Sequence, residues 1–148
     1  SRLRIFKLTI VVICSIALFS CASNKSTKDI SVYKVPVNDF SRTVELLISN
    51  EEFLETEIMK INALNPSVQR IILEADRLLK KKQYIKVNSE LERALRLTKN
   101  EGALYLRIAH LRFKQGLLQE SESFASRGLL LSNISSWERL LLNVYLKN

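Results

Sequence analysis

The chain has 148 residues, a formal net charge of +8 and 47% hydrophobic residues, which is room for one small domain with a tether. Three Gly and two Pro in the whole length argue for an all-helical protein. Of the two cysteines, Cys14 falls in a segment expected to be removed, so no disulfide framework is available and stability must come from packing.

Residues 1–7 carry Arg2, Arg4 and Lys7 and no acid, and residues 8–19 (LTIVVICSIALF) are almost wholly apolar. A basic start, a short apolar run and small residues after it read as a secretory signal peptide, residues 1–20. About 12 apolar residues make a helix of roughly 18 Å, short of the roughly 30 Å hydrocarbon core, which argues against a permanent transmembrane helix. Leu18-Phe19-Ser20-Cys21 resembles the bacterial lipobox. That resemblance implies cleavage before Cys21, acyl chains on its thiol and amino group, and a stable lipid anchor. Ala22 and Ser23 follow with no Asp next to the anchor, which by resemblance to known sorting signals points to the outer membrane.

Residues 21–38 are expected to form a lipid-anchored flexible tether, rich in Ser, Lys and Thr and without helical periodicity. Residues 39–66 read as a partly helical linker. Ser49 and Glu52 have the spacing of a capping box, and Leu54, Ile58 and Ile61 recur on one side of a helix. The opposite side is acidic (Glu51, Glu52, Glu55, Glu57) and is either a solvated face or a surface that packs against the basic part of the chain. Asn65-Pro66 marks a helix start, with Asn65 as cap and Pro66 at the first helical position. From there to residue 148 the apolar period is near 3.6. Residues 22–66 hold five cations and seven acids, and residues 67–148 hold fifteen and eight. The C-terminal part therefore favours an anionic partner: an acidic protein face, a phospholipid headgroup or cell-wall polymer. Export argues against nucleic acid.

At a spacing of 34 residues the chain matches itself. Ala75 aligns with Ala109, Leu79 with Phe113, Lys82 with Gly116, Tyr84 with Leu118, Leu91 with Ala125 and Ala94 with Gly128. This resembles the tetratricopeptide repeat (TPR), with copies at 68–101 and 102–135 and turns at Lys82-Gln83 and Gly116-Leu117. It implies an all-α, TPR-like helical-hairpin array of about two repeats over residues 67–148, with flanking capping helices. The last of these carries Trp137, Leu140, Leu141 and Val144 on one face. Departures from the repeat pattern include Lys82 where glycine is common and Arg112 where a large apolar residue is usual.

The resemblance also implies a concave groove lined by the first helix of each copy. Carried over position by position, Asp76, Leu79 and Lys80 line it from one copy and Leu106, His110, Phe113 and Lys114 from the other, with Ile72 nearby. Such grooves bind extended or helical peptides. The competing reading is that Ile72, Leu106 and Phe113 are buried under the flanking helices. Alanine at Asp76, Lys80, His110 and Lys114 is expected to be tolerated structurally while partner binding falls. Lys80-Lys81-Lys82 with Lys86 is either a docking patch or a solvated charge run at a helix end.

No catalytic signature is present. His110 is the only histidine and has no cysteine or spaced carboxylate partner in the sequence, and there is no phosphate loop and no nucleophile elbow. The expectation is a binding protein, not an enzyme, with no metal and no cofactor. The runs ALNPSVQRIILEAD, ELERALRLTKNEGALYLRIAHLRFKQGLLQESESFASRGLLLS and SWERLLL, over roughly residues 63–142, together with the signal, resemble the LpoP-type TPR lipoproteins of Gram-negative bacteria. These are outer-membrane activators of a bifunctional penicillin-binding protein, which polymerises and cross-links peptidoglycan. The resemblance implies a protein partner of that kind and a periplasmic-face location. The alternatives are an assembly or pilotin lipoprotein for a secretin or pilus system, and a wall-binding protein using its basic surface.

Overall fold

The computed structural model describes residues 2–4 and 37–146, with side chains in the second stretch from Arg42 onward. Cys21 and residues 22–36 of the expected tether lie outside the described residues, and Val37 and Asn38, expected at the end of the tether, are helical instead. The chain divides into two units, residues 1–40 and 41–148, and the core and the candidate site both belong to the second.

From residue 37 the described chain is a succession of helices joined by short connections: α1 (Val37–Ser49), α2 (Glu51–Met59), α3 (Pro66–Lys80), α4 (Tyr84–Leu97), α5 (Gly102–Lys114), α6 (Leu118–Leu129) and α7 (Ser136–Asn143), closed by a 3-10 turn at Val144–Leu146. There is no strand among the described residues. Helices α3/α4 and α5/α6 form two antiparallel hairpins, and α4 packs on α5 to join them. The protein is thus an all-α helical-hairpin array. Among the described residues no helix is long and apolar enough to cross a membrane.

The 34-residue period is visible in the backbone. Helices α4 and α6 start at 84 and 118, and α3 and α5 end at 80 and 114. Both hairpin turns are built alike. Lys82 and Gly116 take positive φ (57° and 75°). Gln83 and Leu117 donate their N–H groups back to Leu78 O (3.1 Å) and Arg112 O (2.9 Å). This closes each first helix in the left-handed manner that glycine adopts freely. Small residues sit at the tightest crossings. A Cβ added to Gly128 would lie 3.0 Å from the Leu142 methyls and 3.1 Å from Tyr105 Cβ.

The helix starts follow local chemistry. Asn65 Oδ1 accepts from Ser67 N at 2.9 Å, with Pro66 first in the helix as its sequence dictates. For α2 the cap is Asn50, which accepts from Phe53 N at 3.0 Å, and not Ser49. Ser49 is still helical, and its hydroxyl donates to Glu45 O in α1. A reciprocal capping box does occur, but at Ser135 and Glu138.

Two apolar clusters meet on α5. One lies between α3, α4 and α5, with Val68, Ile72, Ala75, Leu91, Leu104 and Ile108. The other joins Leu47, Leu54, Ile58, Leu106, Ala125, Leu141, Leu142 and Tyr145. Within residues 39–66, expected as a partly helical linker, Leu47 of α1 and Leu54 and Ile58 of α2 are core residues, and α2 lies across α5. In the last helix the buried face centres on Leu141, Leu142 and Tyr145, with Trp137, Leu140 and Val144 at its margin. Leu142 packs closely over Gly128.

Candidate functional site

Every residue of α5 from Gly102 to Leu111 is buried, as in a helix surrounded by others. Such a helix tolerates a polar side chain only if its polar atoms find partners. Tyr105 meets that condition within the array by donating its hydroxyl to Lys99 O at 3.0 Å, whereas for Arg107 and His110 helix α2 completes the set of partners.

Arg107 binds Asp76 of α3 with both ends of its guanidinium, Nε to Oδ1 at 2.8 Å and Nη2 to Oδ2 at 2.9 Å. It also donates to Ala103 O at 3.1 Å and to Met59 O, the last residue of α2, at 3.3 Å. One side chain thereby ties three helices together. Nearby, the buried Glu101 carboxylate accepts from Leu64 N (2.9 Å) and Asn65 N (2.7 Å), fixing the segment between α2 and α3.

His110 lies one turn further along α5, 1% exposed. Its Nε2 is 2.8 Å from Glu55 Oε2 and its Nδ1 is 2.8 Å from the Tyr145 hydroxyl. Burial, with the charges of Glu55 and Glu51 added, raises the Tyr145 pKa well above 10.0 and keeps the phenol protonated. A protonated phenol can donate to Nδ1 while Nε2–H donates to Glu55, an arrangement that fits both distances. The hydrogen bond from His110 lowers the Glu55 pKa below its usual 4.5; burial opposes this, and Lys114 reinforces it. Lys114 closes the cluster with its ammonium 2.6 Å from Glu51 and 3.1 Å from Glu55. Burial pulls its pKa down, but the hydrogen bonds and charges of the two carboxylates outweigh that and leave it raised above 10.5. Phe113 meets the Tyr145 ring edge to face at 5.8 Å. Against this cluster, Leu47, Ile48, Glu51, Leu54, Phe113, Val144 and Tyr145 line an open cleft of about 280 Å³.

The residues expected to line one groove fall in three places. Asp76, Leu79, Leu106 and the neighbouring Ile72 belong to the core. His110, Phe113 and Lys114 meet beneath and beside α2. Lys80 is exposed at a hairpin turn. An open groove over Leu106 and His110 is therefore replaced by a groove that the chain's own α2 fills. The expected structural tolerance of alanine is corrected for Asp76, whose loss strands a buried guanidinium, and for His110, whose ring is enclosed. Arg112, where an apolar residue is expected, donates to Asn88 of α4 (2.7 Å) and lies 2.9 Å from Glu120 of α6 and 5.8 Å from the Phe124 ring, while its buried Nε makes no hydrogen bond.

The partners of His110 are not legible from its own neighbourhood. Glu55 is 55 residues earlier and Tyr145 is 35 later. The usable signal is charge: an acidic helix face followed by a basic domain. Glu51, Glu55 and His110 also bring three possible metal-ligand atoms within 4.8 Å of one another. Lys114 already bridges the two carboxylates, so a cationic side chain supplies the positive charge that a metal would bring. The order Tyr–His–Glu has the hydrogen-bond logic of a catalytic triad, but the hydroxyl is enclosed, with Tyr145 1% exposed.

This geometry defines a helical-hairpin array with an internal helix clasped across its central member. No protein-family model, curated protein or solved structure matches the chain.

Proposed function

We propose that the chain is a lipid-anchored adaptor of the tetratricopeptide type, held at the periplasmic face of the outer membrane through Cys21. Its partner is a bifunctional penicillin-binding protein, whose peptidoglycan synthesis it activates. The observation that carries the reading is the seating of α2: an amphipathic helix with acidic residues lies across α5, held by Leu54 and Ile58 and by pairing of Glu51 and Glu55 with Lys114 and His110. Because α2 fills that groove, a partner's segment is received beside α2 and not across α5. The adjoining cleft of about 280 Å³, walled by Leu54, Phe113 and Val144, takes one apolar anchor side chain of that partner. Activation then follows if the bound form of the synthase is its active conformation.

The test is a photocrosslinker at Ile48, an exposed residue on the rim of the cleft, in the full chain in membranes. Recovery of a bifunctional penicillin-binding protein, lost when Phe113→Ala widens the cleft, is the expected result. Recovery of secretin or pilus components instead overturns the assigned partner and leaves an assembly lipoprotein.

A further inference from the structure

Both hairpin turns lie at one end of the array. Arg112, just before the second turn, donates to Asn88 Oδ1, just after the first. Residues 80–86 (KKKQYIK) hold four lysines and no acid, and all four lysines are exposed. Between them Ile85 is 87% exposed, and from the second turn Leu117 and Leu118 are 43% and 49% exposed.

Nothing inside the fold accounts for this composition. Ile85 adds nothing to either apolar cluster. Lys86 stands in the first turn of α4, where the helix dipole disfavours a cation. Lys82 holds a positive φ that glycine adopts at the equivalent place in the second turn. Glu74 and Glu90, which line one surface hollow with Lys81 and Lys86, are engaged by Arg77 and Arg93 on their own helices, with Lys81 acting on Glu74 only as a lesser charge. The lysines are therefore not consumed by neighbours.

We propose that this tip docks on an anionic phospholipid bilayer, its lysines at the level of the phosphates and Ile85 and Leu118 entering the acyl boundary. Charge complementarity selects an anionic surface, and composition selects lipid over protein. Protein interfaces are enriched in aromatic residues and Arg and depleted in Lys. A protruding end with aliphatic side chains ringed by lysines, and the half-buried Tyr84 at its base, matches an interfacial membrane contact. The surface is separate from the α2 clasp, so this assignment stands or falls independently of the proposed partner.

The test uses the full chain carrying Ile85→Trp, incorporated in vesicles, with the signal of the native Trp137 subtracted from a parallel sample of the parent chain. Because any N-terminal membrane attachment is common to all samples, the emission of residue 85 reports the tip alone. On vesicles of phosphatidylglycerol and phosphatidylcholine it is expected to shift to the blue and to be quenched by brominated lipid. On phosphatidylcholine alone it is expected to stay water-like. Salt at roughly 1 M, where the screening length is about 3 Å, is expected to abolish the shift. Lys80→Gln/Lys81→Gln/Lys86→Gln is expected to weaken docking roughly a hundredfold, at about fivefold per lysine. Water-like emission on anionic vesicles, an equal shift on neutral ones, or an unchanged shift in the triple variant overturns the proposal. Water-like emission on anionic vesicles with retention on immobilised polyglutamate overturns it too, and gives the lysines to an acidic protein.

Discussion

Arg107→Met isolates what the buried ion pair does for the array. The Arg107 side chain is 3% exposed and that of Asp76 11%, so neither charge has enough water to stand alone. Methionine fills much of the volume but removes both hydrogen bonds to the carboxylate and the one to Met59 O. Breaking a buried pair by removing one partner costs roughly 3–5 kcal/mol, because the remaining charge stays desolvated. At about 4–8 °C per kcal/mol for a domain near this size, the melting temperature should fall by roughly 12–40 °C. Urea unfolding followed by far-UV circular dichroism measures the loss directly. The double variant Asp76→Leu/Arg107→Met removes the stranded charge as well and should recover more than half of it. A single variant within about 1 kcal/mol of the parent would refute the role given to this pair. So would a double variant no more stable than the single one, since that traces the loss to packing instead of charge.

Three further outcomes are expected. Because the folded Glu55 pKa lies below 4.5, its contribution to stability is fully present above pH 4.5 and is lost as the pH falls through the folded value; Glu55→Gln should flatten that acid limb in urea titrations. Lys82→Gly should raise stability by about 1 kcal/mol by relieving the left-handed conformation, while Gly116→Ala should lower it by about as much; thermal melts of the two variants test the pair, and equal signs would refute the argument. Cys21→Ser should leave an uncleaved precursor that is soluble or retained in the inner membrane, and normal outer-membrane fractionation of that variant would refute the anchor.

The array is legible in the sequence where local signals and the repeat agree. Asn65-Pro66 fixes the start of α3, and the match of Lys82 with Gly116 locates two turns of one geometry. One-residue errors arise where neighbouring groups compete: Ser49 and Asn50 can each cap a helix, and the choice depends on α1 continuing through Ser49. The groove is misjudged for a different reason. The repeat assigns Asp76 and His110 the same register, so it gives them the same surroundings, yet their partners break the repeat. Asp76 meets Arg107, 31 residues on, and His110 meets a helix that precedes the first copy. Pairing across an array and a flanking helix is set by tertiary packing, and no periodicity within α3 or α5 records it. The acidic face of α2 does record it, as one of two open readings.

Lys82 also bears on how the protein would behave in directed evolution. Stability selected by heat alone favours glycine there, because the backbone relaxes and no core contact is lost. That gain removes one cation from the exposed end of the first hairpin. Screens for thermal tolerance would enrich a variant that folds better and carries one cation fewer in the lysine-rich run 80–86, and if the proposed docking holds, only a screen that also selects for binding to an anionic surface would keep the lysine.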